Sequence, residues 1–216
     1  GVTKLNTKTS RLDGTLAGAA AALTVVEADA ITIGDVKLTG TGGTASITAG
    51  TATTLGNIVL EKLDVGSTGT ATITAFGSIS GAGTAPADLV AGTASLLANG
   101  GNNAITLKTN VTGGLTATAP QTITITNVAP LVVQSLTSSN GGIKLTAAGG
   151  ITQTPSGRIS AGSGNGLLDI TASDDVVLTN AANDVNSLAI ATTAANKNVS
   201  YTCLLYTSPS PRDQRG

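Results

Sequence analysis

Apolar and polar residues alternate along this chain in short bursts, each cut off within a few residues by Gly, Asn, Asp or Ser. The clearest bursts are Ile31-Thr32-Ile33, Val36-Lys37-Leu38, Ile105-Thr106-Leu107, Ile123-Thr124-Ile125, Ile143-Lys144-Leu145, Leu168-Asp169-Ile170, Val176-Val177-Leu178 and Leu188-Ala189-Ile190. Alternation of period two sends the outer residues of a triplet to one face and its middle residue to the other, which predicts half-buried strands. The turn-formers between them limit each strand to about three to five residues. No segment carries a helical stripe except the Ala-rich run Leu16 to Leu23, where the flanking Gly14 and Gly18 weaken a helix.

The strongest triplets recur with a period near twenty. Ile105 to Ile123 is 18 residues, Ile123 to Ile143 is 20, Ile143 to Leu168 is 25 and Leu168 to Leu188 is 20. A recurring interval of that size marks a repeat architecture in which each unit buries its apolar face only by stacking on its neighbours. Within one interval, Ile143-Lys144-Leu145, Ile151 after Gly149-Gly150, and Ile159 before Ala161-Gly162 mark three strands, hence a triangular coil. Leu23 to Ile33 also lies on Leu168 to Leu178 without a gap, matching strand, acidic turn and strand, with Asp29 opposite Asp174. The predicted fold is all-β: a right-handed parallel β-helix, or solenoid, of about twenty-residue coils, its hand following the chirality of crossover connections. Residues 1–202 form the shaft, read as an internal fragment without caps.

Composition narrows the interior. Aromatic residues are 1% and charged residues 11% of the chain, with no His, Met or Trp. The core must therefore be built from Val, Ile, Leu and Ala, which suits a narrow, regular interior better than a wide one. A hydrophobic content of 40% with a net charge of −1 argues for folding rather than disorder. That charge supplies no basic stripe for nucleic acid. No apolar run approaches the roughly 20 residues of a membrane span.

The last fourteen residues, CLLYTSPSPRDQRG (203–216), break the pattern, because Pro209 and Pro211 would remove ladder donors. Their first eleven residues resemble one reading frame of a transposase-based sequencing adapter. They read as a non-native, disordered tail, and Cys203 is then no candidate nucleophile, metal ligand or cross-link.

The phrases AAGGITQ, RISAG, LDITASDDVVLTNAAND and LAIATTAANKNVSYT, within Ser139 to Thr202, resemble the repeats of filamentous haemagglutinin-type exoproteins, the β-helical adhesins secreted by two-partner systems. VVEADAITIGDV near the start resembles another such repeat. The resemblance covers 139–202 well and 16–80 loosely, while 81–138 fits only in pattern. It implies secretion through an outer-membrane partner to the outer surface of a Gram-negative bacterium. It also implies contact with a host or neighbouring-cell surface, and a structural role as the shaft of an adhesin-like exoprotein.

Candidate chemistry is sparse. The adjacent pair Asp174-Asp175 would suit general acid and base work on a polysaccharide. Its place between two strands favours a turn role instead. Nucleophilic triads and Cys or His metal sites lack their residues. Gly42-Gly43 and Gly149-Gly150 read as corners, and Asn180, Asn183 and Asn186 as corner ladders. The sequons at Asn110 and Asn198 are short enough to arise by chance. Threonine runs at Thr70 to Thr74 and Thr122 to Thr126 suggest the flat face of an ice-binding protein, but along the sequence they do not recur at a constant coil spacing. No catalytic, cofactor-binding or metal-ligating residue is expected, and no cofactor. The uncapped ends point to end-to-end self-association. The competing readings are tandem immunoglobulin-like adhesin domains, a β-helical polysaccharide-active enzyme and an ice-binding protein.

Overall fold

The computed structural model describes residues 2–162 and 166–204. The proposed tail lies outside the described residues apart from Cys203 and Leu204. The described residues contain no helix, and their parallel strands stack as a β-solenoid of about nine turns with about 22 residues per coil.

Each coil has three faces. Face A is built from β1 (Val2–Thr7), β3 (Ala22–Glu27), β5 (Thr44–Ala49) and β7 (Thr70–Ala75), and from the later parts of β9 (Leu89–Ala98), β10 (Ile105–Ala119), β12 (Leu131–Ser138) and β14 (Ile151–Ala161). Face B takes the opening residues of β2 (Arg11–Ala17), β4 (Ile31–Thr39), β6 (Ile58–Asp64) and β10. It continues through β8 (Ile79–Gly81), β11 (Ile123–Asn127), β13 (Ile143–Ala147), β15 (Leu167–Ala172) and β17 (Ser187–Thr192). Face C takes the ends of β2, β4 and β6, the starts of β9, β12 and β14, and then β16 (Val176–Leu178) and β18 (Val199–Tyr201).

The spacing read from the sequence is the coil itself. Ile31, Ile58, Ile79, Ile105, Ile123, Ile143, Leu168 and Leu188 are successive register partners down face B. All but the last are fully buried. Ile143, Ile151 and Ile159 fall on faces B, C and A of one turn. Face A is lined inside by a small-large-small pattern, Ala45-Ile47-Ala49 and Ala71-Ile73-Ala75, which keeps the triangle narrow enough to fill without aromatics.

Four expectations need correction. Only β8, β11, β13, β16 and β18 keep to three to five residues, and the others are longer: β10 has 15, because it turns a corner through an irregularity between Val111 and Gly114 while still pairing on both sides. The Ala-rich run is no helix but the turn between β2 and β3. There Ala20 sits at φ 53°, and its N–H donates to Thr41 O of the next coil at 3.0 Å rather than to its own preceding turn. The match of Leu23–Ile33 to Leu168–Leu178 is real as a corner shape, but it superposes an A-to-B corner on a B-to-C corner. The antiparallel immunoglobulin-like alternative fails, since among the described residues every pairing between these strands is parallel and runs from coil to coil, the one antiparallel contact being the isolated bridge Thr51 to Thr54 in a corner.

Candidate functional site

Asp174 and Asp175 lie in the bend between β15 and β16. Asp174 Oδ1 accepts from the Asp175 N–H at 2.8 Å and meets Lys197 Nζ at 2.8 Å, while Asp175 Oδ1 accepts from the Asn198 N–H at 2.8 Å. The Lys197 ammonium, aided by the Asp175 N–H, holds the Asp174 carboxyl below its ordinary range, and Asp174 in turn raises Lys197. Both carboxylates are therefore engaged in fastening the turn to the coil beneath it. Asp29 occupies a bend of the same kind, between β3 and β4.

Four buried polar side chains do the work of missing ladder bonds at corners. Asn127, at the end of β11, takes both polar groups of the Val111 backbone: its Oδ1 accepts from Val111 N–H at 2.8 Å and its Nδ2 donates to Val111 O at 3.1 Å. It also accepts from Thr109 Oγ1 and donates to Ala129 O and Pro130 O. Asn183 accepts from Ile159 N–H and Gln153 Nε2, and donates to Gln153 Oε1, Leu178 O and Thr202 O. Asp88 accepts from the N–H groups of Gly83 and Lys108. Glu27 accepts from Thr7 Oγ1 at 2.5 Å and from the N–H groups of Thr9 and Ala28. Burial is the largest single influence on Glu27 and would raise it, but the bonds from Thr7, Ala28, Thr9 and Asp29 together hold its carboxyl below the ordinary value.

Of the three asparagines expected to form ladders, Asn183 links coils through Gln153, and Asn180 links coils by donating to Pro155 O of the preceding coil while accepting from Ala182 N–H in its own turn. No side-chain bond of Asn186 is found among the described residues, where its backbone N–H donates to Gly166 O. Glu27, Asp88 and Asn127 were not legible as a group. Their only signal is a polar residue at the end of a strand, or before one, where alternation calls for an inward side chain.

On the outside, Arg11 forms paired bonds to Asp13 and, two coils away, to Glu61 at 2.6 and 2.9 Å. It crosses the intervening β4 at Gly34, where any Cβ would collide with the Asp13 carboxylate and the guanidinium. Glu61 and Asp13 are held below the ordinary carboxylate range, Glu61 chiefly by Arg11, and Asp13 by the Asp35 N–H and then Arg11. Tyr201 carries a buried hydroxyl with no partner among the described residues, and burial pushes it up to about 12.

The threonine runs come out differently from their reading in the sequence. On face A, Thr24, Ser46, Thr72, Ser95, Thr116 and Ser135 are successive register partners. A second outward rank runs Val26, Thr48, Thr74, Leu97, Thr118 and Thr137. The chain between partners varies from 19 residues (Thr116 to Ser135) to 26 (Ser46 to Thr72), which hid the alignment. Corner segments of different length, such as 50–57 and 76–78, absorb the difference. The Thr122 to Thr126 run lies on face B instead, around β11.

Of the sequons, Asn110 is half-buried within β10, and Asn198 is exposed just before β18. Cys203 is exposed and unpaired in a disulfide. Gly42-Gly43 and Gly149-Gly150 are corners, Gly42 at φ 72°. Among the described residues no group of three or more His, Cys, Asp or Glu is placed to hold a metal ion, and no helix is long and apolar enough to cross a membrane.

A family described as "Repeats of unknown function (DUF5649)" matches residues 120–192, less than half of the chain. The matched stretch takes in 120–138, which reading the sequence had placed only by pattern, and it carries the repeat character without a haemagglutinin assignment. No curated protein and no solved structure matches the chain.

Proposed function

We propose that the chain is a non-catalytic shaft segment of a secreted or surface-displayed bacterial exoprotein of the filamentous haemagglutinin type, which holds other modules away from the cell. The observation that carries this reading is the unbroken ladder: one aliphatic column threads every coil from Ile31 to Leu188, and each coil inside the stack is bonded to those on either side. Such a body resists bending and lengthens by about 4.8 Å per coil. The resemblance of 139–202 to haemagglutinin-type repeats supplies the bacterial surface, the outer-membrane secretion partner and the facing cell. Head-to-tail stacking of copies belongs to the same reading.

The test is a molecular ruler. The chain is inserted between a surface anchor and a fluorescent epitope, and the height of the epitope is measured beside a version with two internal coils removed. A fixed decrement of about 10 Å for the two coils is expected. An epitope height independent of coil number would overturn the shaft reading.

A further inference from the structure

Face A has a chemistry unlike the other two. Between Lys4 at one end of the first hydroxyl rank and Arg158 at the other, the outward positions of six consecutive strands carry no charge and no aromatic ring. Four successive register sets, joining β1, β3, β5, β7 and β9, pair residue for residue without a shift on face A, so the ranks stay straight across these five strands. Their hydroxyls are set at about 4.8 Å along the solenoid and about 6.6 Å along each strand. At the edge of the array, Thr70 and Thr93 hydroxyls lie 3.1 Å apart across coils.

We propose that face A binds ice. The other occupants fit poorly. Six strands by about five residues give a flat area on the order of 450 Å². Two copies meeting there would bury about 900 Å² in all, short of the roughly 1,200 Å² at which stable interfaces begin. The strands of face A are paired on both sides through its middle, which leaves no edge for an added peptide strand. The uncharged surface offers nothing to phosphates. A sugar chain would lack any ring to stack on. The remaining partner is an uncharged, periodic, hydrogen-bonding solid, and ice is one whose repeats are a few ångströms. Each hydroxyl contributes little alone, so recognition needs many held at once in fixed positions, which an in-register ladder provides without ordering cost at binding. This inference stands independently of the shaft reading.

The experiment measures thermal hysteresis and inhibition of ice recrystallisation with the whole chain. It is repeated with Thr72→Tyr/Thr116→Tyr on face A and with Thr106→Tyr/Thr124→Tyr on face B. Circular dichroism melts confirm that each variant is folded, and Thr72→Val is read if the Tyr pair fails to fold. Hysteresis in the wild type, lost in the face A variant and kept in the face B variant, is the expected result. No effect of the wild type on ice, or equal loss in both variants, overturns the proposal. So does a dimer in sedimentation that disappears with Thr72→Tyr, or retention on powdered cellulose or chitin that the same change abolishes.

Discussion

At Asn127 a side-chain amide stands where the next strand would otherwise bond to Val111, presenting one acceptor and one donor just as a peptide unit does. Asn127→Leu keeps the branched shape but orphans the buried Val111 N–H and leaves the carbonyls of Val111, Ala129 and Pro130 short of a donor. A destabilisation of about 3 kcal/mol is expected in urea unfolding, against less than about 0.5 for Thr126→Val on the outside of the same strand. Glu27 makes a pH-dependent version of the same argument. Its folded-state carboxyl ionises below the ordinary value of 4.5, so its stabilisation is complete above that value and disappears as pH falls through the lower, folded one. Glu27→Gln should flatten the acid limb of stability below about pH 4.5 while costing some stability at pH 7. An unchanged acid limb in the variant would refute it. The sequence displayed the apolar partners of these groups plainly, because alternation is a local signal. It hid the polar ones, because an inward Glu or Asn makes sense only once the backbone groups it must satisfy, up to 24 residues away, are known.

Elements are held at their corners by glycine more than by turn type. Gly43, Gly69 and Gly92 sit just before β5, β7 and the face A part of β9, where successive backbones come so close that a Cβ on Gly69 would run into Val65 O and Gly43 O. Gly92 N–H donates to Gly69 O at 2.8 Å across this contact. Gly69→Ala should therefore cost about 2 to 3 kcal/mol, since the obstacle is backbone and cannot swing aside. Gly101→Ala, exposed with nothing near its Cβ, should stay within about 0.5 kcal/mol. Differential scanning calorimetry of the two variants decides it. Gly34 is the contrasting case, since what it makes room for is side chain, the Asp13 carboxylate and the end of Arg11. Of these glycines the sequence marked only Gly43 as a corner, beside Gly42; it showed Ile105 to Leu188 as a column, because that depends on the interval between neighbouring coils. It could not show that the threonines of face A form ranks, because the intervals there vary and the corners that absorb them have no common length.

Stacking makes the whole molecule one column, and a column has two ends. Among the described residues β1 pairs only with β3 and β2 only with β4, while β17 pairs only with β15 and β18 only with β16. The core column is correspondingly open there: Leu5, Leu12 and Leu16 are only partly buried at the first coil, and Leu188 and Val199 are 42% and 50% exposed at the last. Among the described residues each end thus offers strand edges together with an apolar floor, and the two surfaces are complementary in the sense that one coil always fits another. Contact of this kind is heterologous and does not close, so growth should run along the axis. Scattering over a range of concentrations should show rods that lengthen while their cross-section stays constant. Leu188→Lys/Val199→Lys should suppress the growth by placing uncompensated charge on one floor, with the circular dichroism spectrum unchanged. A population that stays one molecule long at every concentration, or that thickens instead of lengthening, would show that these ends do not attract each other.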